Sequence, residues 1–99
     1  MIVGWNPYQG WYIEGIEKFT QNLDRHKARF PDKLMIITEY GADSDSVRFD
    51  MTVDYTKHYH QVYLDAIMAQ DFVAGATVWN FADFSSETRH DVVPHLNNK

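Results

Sequence analysis

Leu34-Met35-Ile36-Ile37-Thr38-Glu39-Tyr40-Gly41 is the stretch on which the fold reading turns. Four apolar residues run into Thr-Glu-Tyr-Gly, and a continuous apolar run bounded by turn signals reads as a strand buried on both faces, as in a parallel sheet. Glutamate is depleted in strands, and a buried carboxylate without partners costs roughly several kcal/mol. Glu39 at the C-terminal tip of such a strand therefore calls for a reason. In parallel α/β proteins that tip is where active sites gather. The plainer alternative is a carboxylate that caps a following helix or pairs with an arginine.

Working outward, the chain alternates strand and helix signals. Met1-Ile2-Val3-Gly4-Trp5 reads as a buried strand or the tail of one, so the natural protein is expected to begin upstream. Asn6-Pro7-Tyr8-Gln9-Gly10-Trp11-Tyr12 carries the loop signals Asn-Pro and Gly, with three aromatics unusual for a loop. Ile16, Phe19, Leu23 and Phe30 share one face of a helix expected over 13–30, which Pro31 ends. After the Leu34–Thr38 strand, Gly41 to Met51 is an Asp- and Ser-rich loop without calcium-loop spacing. Thr52 or Asp54 can cap a second helix over 53–69, buried along Tyr55, Tyr59, Val62, Tyr63, Ala66 and Ile67. His58 and His60, two apart, are expected at the surface. Val73 to Asn80 is a third strand, its small residues suiting close backbone approach, and Ser85 to Lys99 reads as loop.

The result is an α/β chain, a βαβαβ run with parallel strands and right-handed crossovers. Both helices then cover one face, although all three strands read as buried on two. Three consecutive strands of a larger β/α barrel have this character. If the chain stands alone, self-association through the uncovered sheet face is expected.

The net charge of −5 argues against a nucleic-acid partner. No apolar run approaches the ~20 residues that span a bilayer, so no membrane partner is expected, and no basic segment precedes an apolar one at Met1. Without cysteine there is no thiolate metal site or disulfide, and the compartment stays undetermined. No Gly-rich phosphate loop is present, so no cofactor or metal is expected. Three Trp, six Tyr and six Phe suit a large core or a site that stacks on sugars.

Four stretches in order resemble glycoside hydrolase family 2, in its β-galactosidase and β-glucuronidase branches: residues 6–12, 36–43 (Ile-Ile-Thr-Glu-Tyr-Gly-Ala-Asp), 78–84 (Val-Trp-Asn-Phe-Ala-Asp-Phe) and 97–99 (Asn-Asn-Lys). The resemblance implies that residues 1–99 are strands six to eight, the last three, of a catalytic TIM (β/α)8 barrel, incomplete at both ends. It implies a retaining exo-β-glycosidase with Glu39 as catalytic nucleophile, and Tyr40 or a neighbouring tyrosine able to hydrogen-bond it. Tyr8, Tyr12 and Trp79 match pocket walls, and Asn97 and Lys99 match an Asn-x-Lys motif that holds the substrate carboxylate in β-glucuronidases. The acid/base glutamate belongs to an earlier strand and has no match here, so the isolated chain is expected to be inactive. Gln9 and Val93 depart from the glucuronidase pattern, which favours the β-galactosidase type, with a β-glucuronidase as the alternative. A non-catalytic sugar-binding or scaffold domain, stacking sugars on Tyr8, Trp11, Tyr12 and Trp79, is the reading from another class.

Overall fold

The computed structural model describes residues 1–44, 53–89, 96, 97 and 99, with 96 and 97 by backbone only. The proposed Thr52 cap, most of the 41–51 loop, Val93, Asn98 and the Asn97 side chain lie outside the described residues. Strand β1 spans Ile2–Trp5, helix α1 Lys18–Arg29, strand β2 Leu34–Tyr40, helix α2 Val53–Met68 and strand β3 Val73–Val78. They form a parallel three-stranded sheet in the order β1-β2-β3, so the glutamate-bearing strand is the middle one. The region expected as loop after Ser85 contributes a short antiparallel pair instead, β4 (Phe84–Ser85) with β5 (Leu96–Asn97). Two residues per strand give no periodicity to detect. No described helix is long and apolar enough to cross a membrane.

Both helices pack on one face. Phe19 and Leu23 of α1, Tyr59, Tyr63 and Ile67 of α2, and Met35 and Ile37 of β2 form one buried cluster with Phe72. Their burial, at roughly 1.5–3 kcal/mol for each large side chain, is the main favourable contribution. The other face is open: Leu34 is 49% exposed and Val78 48%. The apolar run 34–37 therefore has cover on one side only, among the described residues.

Helix α1 begins at Lys18, five residues later than expected. Residues 13–17 close the aromatic loop instead: Gly10 N–H donates to the Ile13 and Glu14 carbonyls, both at 3.2 Å. Gly10 has φ +87° and its missing Cβ would overlap Ile16, so glycine is required there. The helix ends as read, with Phe30 N–H on the His26 carbonyl at 2.9 Å before Pro31. His26, Lys27 and Arg29 lie in its last turn, where positive charge suits the dipole.

His60 is not the surface residue expected. It is half-buried, edge-on to Tyr40 at 5.6 Å and to Tyr59 at 5.9 Å, while His58 is exposed. The helix turns one histidine inward and the other out. Burial lowers the His60 pKa below 6.5, and burial then Arg29 lower that of His26. The folded state thus binds fewer protons than the unfolded chain near these values. Stability is fully present above about pH 6.5 and falls as pH drops toward the lowered folded values. The thermal midpoint is expected to be lower at pH 5.5 than at pH 7.5, and His60→Gln to flatten that slope, as read by circular dichroism melts. An unchanged slope in the variant would assign the effect elsewhere.

Candidate active site

Residues 35 and 37 of β2 face the helices, and strict alternation would send residue 39 the same way. The ladder forbids it. Ile37 pairs with Ala76 and Tyr40 with Val78, so three steps on β2 oppose two on β3. This is a β-bulge, a device that re-aims a side chain next to a site. Its effect is that Tyr40, rather than Glu39, enters the core. Tyr40 is 3% exposed and stacks on Tyr63 at 5.3 Å and 7°. Glu39 is left only partly covered, on the side away from the helices.

There it meets the aromatic loop. The Tyr8 hydroxyl donates to Glu39 Oε2 at 2.9 Å. Burial first, then the hydrogen bond and the charge of Glu39, push the Tyr8 phenol well above its ordinary value of 10.0. Tyr8 therefore stays a proton donor to the carboxylate oxygen. The partner anticipated for Glu39 was Tyr40 or a neighbouring tyrosine; Tyr8 fills that role, because the bulge commits Tyr40 to the core.

The loop is pegged from beneath by tyrosines of α2. The Tyr63 hydroxyl donates to the Gln9 carbonyl at 3.0 Å, and the Tyr55 hydroxyl to the Gly10 carbonyl. The tyrosine stripe is core, as its spacing suggests, but its polar ends also fix the residues around Tyr8. Within the loop, Trp11 and Tyr12 N–H donate to the Tyr8 carbonyl at 3.0 and 3.1 Å. Tyr12 is 54% exposed, its ring 5.2 Å from that of Tyr8.

Lys99 comes to the same wall. Its Nζ donates to the Tyr12 hydroxyl at 2.8 Å and stands 4.5 Å from the Tyr12 ring centre, 4.9 Å from Trp11 and 5.9 Å from Tyr8. Such approaches are cation–π contacts. Lys99 Nζ also pairs with Asp43 Oδ1 at 2.6 Å, and Arg89 with Asp43 Oδ2. Asp43 is fully buried, and neither it nor Arg89 was among the residues singled out from sequence. Asp43 lies in the 36–43 motif, which was the available signal; Arg89 offered none.

Gly41 makes the close approach of strand tips possible: a Cβ there would overlap the Trp79 carbonyl oxygen. Trp79 N–H donates to the Tyr40 carbonyl at 2.8 Å, so Trp79 leaves β3 beside the Glu39 strand end. Its ring packs edge-on to Phe84 at 5.9 Å, and the Trp79–Asn80 peptide is cis. The described contacts thus link Glu39, Tyr8, Tyr12 and Lys99 in sequence, with Trp79 adjacent by backbone. Asn97 is placed by backbone alone, in β5. Among the described residues no group of three His, Asp or Glu could hold a metal ion.

No family model matches the chain. Individual proteins do. The chain is 35% identical to a β-glucuronidase of Streptococcus agalactiae over 86% of its length, and 29% identical to one of Bacteroides fragilis over 88%. It spans 16% and 14% of those relatives. A crystal structure of Bacteroides uniformis β-glucuronidase matches 99% of the chain at 40% identity and a TM-score of 0.89, over 12% of its own length. The parallel sheet with alternating helices thus corresponds to a partial barrel segment of that glycosidase. Sequence and backbone together place the chain in the glycoside hydrolase family 2 type, as a segment that corresponds to part of the β-glucuronidases it matches.

Proposed function

We propose that the chain forms strands six to eight of the barrel of a retaining exo-β-glycosidase, with Glu39 as its nucleophile. The observation that carries this is the Glu39 carboxylate at the tip of the middle strand, held by the Tyr8 hydroxyl at 2.9 Å. Glu39 attacks the anomeric carbon while a carboxylic acid from an earlier strand, about 5–5.5 Å away, protonates the departing oxygen. The same residue then activates the water that releases the sugar from Glu39. Because the chain has no motif for that acid, it does not turn over substrate by itself.

Of the two sugars weighed from sequence, the glucuronide now stands first. The named relatives at 29–40% identity are β-glucuronidases, and Lys99 stands at the aromatic wall where an acidic sugar finds a cation. This outweighs the departures at Gln9 and Val93. A related β-glucuronidase of Bacteroides uniformis, 40% identical, is covalently bound to cyclophellitol-6-carboxylate aziridine. That reagent supplies the test. The 99-residue stretch is grafted in place of the segment it matches in the Bacteroides uniformis enzyme, then incubated with the aziridine. One adduct is expected, mapped by peptide mass spectrometry to Glu39 and missing in Glu39→Gln. A graft that melts like its parent yet stays unlabelled, or carries the adduct elsewhere, overturns the proposal.

In that graft, Tyr8→Phe removes one hydrogen bond to a charged acceptor, worth about 1.5–3 kcal/mol. The kcat for an aryl β-glucuronide is expected to fall roughly 10- to 100-fold. A change under threefold would mean that Tyr8 does not support the charge on Glu39. In the isolated chain, a second copy takes the place of the absent strands at the open sheet face. Sedimentation velocity checks this, and a monodisperse monomer counts against it.

A further inference from the structure

Asp43 is joined to two cations through different oxygens: Oδ2 to Arg89, which is 8% exposed, and Oδ1 to Lys99, whose side chain is 1% exposed. A buried ion pair is weak support for stability alone, since desolvation offsets much of the attraction. A lysine side chain has four flexible bonds, and fixing them costs about 2 kcal/mol of rotamer entropy. Arg89 orients the Asp43 carboxylate, whose other oxygen holds the ammonium against Tyr8, Trp11 and Tyr12. The Asp43 backbone is held in turn: its carbonyl accepts from Thr56 Oγ1 at 2.9 Å, on α2. Asp43 stands four residues beyond Glu39, so nucleophile and ammonium are referenced to one short stretch of backbone.

We infer that Asp43 is a positioning residue: it presets the Lys99 ammonium at the aromatic wall, so that preference for a carboxylated over a neutral sugar passes through Asp43. The inference rests on the proposed β-glycosidase reading and deepens it. In the graft described above, calorimetric titration compares uronic isofagomine with its neutral parent, isofagomine. Asp43→Asn is expected to weaken binding of the uronic ligand on the order of tenfold or more, with less effect on the neutral one. In a Lys99→Met background the same change is expected to cost nothing further, because its effect runs through the ammonium. Asp43→Glu keeps the charge and guards against a folding failure. Its extra methylene displaces the ammonium, and it too is expected to reduce the uronic-to-neutral affinity ratio. Additive losses from Asp43→Asn and Lys99→Met, or an Asp43→Glu ratio equal to that of the unaltered graft, overturn the inference. Aziridine labelling of Glu39 keeps the two claims apart: labelling with additive losses sinks only the role of Asp43, whereas absent labelling sinks the glycosidase reading itself.

Discussion

Glu39→Gln is expected to lower turnover of an aryl β-glycoside by on the order of 10⁴-fold or more in a barrel carrying this chain. The substitution preserves shape and the neighbouring ring contacts, so the loss falls on kcat and little on KM. An amide oxygen is a poor nucleophile and cannot neutralise the positive charge that develops at the anomeric carbon. The Tyr8 hydroxyl still finds an acceptor in glutamine, at 2.9 Å in the parent geometry, which keeps the loop in place. A second variant distinguishes nucleophile from proton donor. Glu39→Gly leaves a gap that azide can enter from the face the carboxylate occupied. Turnover returns with added azide, and the product is the α-glycosyl azide, identified by the anomeric coupling in its NMR spectrum. A β-configured product, or a Gln variant with more than about a tenth of the parental rate, would remove Glu39 from this role.

The second large effect is on stability. Phe19 is fully buried, its ring 3.8 Å from Tyr63 at 9° and 5.8 Å from Trp5. Phe19→Ala removes that ring from between two helices and a strand, and large-to-alanine changes of this kind cost about 3–5 kcal/mol. Against the roughly 5–15 kcal/mol of a typical domain, this is a substantial fraction. Urea unfolding should show a lower midpoint with an unchanged slope. Phe81→Ala is the internal control: Phe81 is fully exposed, and its loss should stay within about 0.5 kcal/mol. Equal effects at both positions would mean that the helices do not dock on the sheet as described.

The order of elements was legible because hydrophobic spacing records it directly. Phe19 and Leu23 at helical intervals, and the unbroken run 34–37, leave few alternatives. The start of α1 was not, because Ile13 and Ile16 continue the apolar pattern while Gly10 and Glu14, at φ +87° and +52°, close a loop. The bulge in β2 was not legible: it falls at Thr38-Glu39, past the apolar run 34–37, and is set by pairing with β3, more than thirty residues on, which local spacing does not record. The Glu39 position was legible, but its tyrosine partner was narrowed to Tyr8 only by that bulge. Asp43 was invisible as a hub because its partners lie 46 and 56 residues away. Spacing rules carry no information at that range.

The column of rings from Tyr40 through Tyr63 and Phe19 to Trp5 has an optical consequence. The Tyr40 and Tyr63 phenols, stacked at 5.3 Å, share excitation and pass it through space to the indole of Trp5 beyond Phe19, the lowest-energy acceptor of the four rings. Light absorbed by these tyrosines leaves as tryptophan emission while α1, α2 and β1 remain docked. When they separate, tyrosine's own shorter-wavelength emission returns, so the chain carries a built-in reporter of its own assembly.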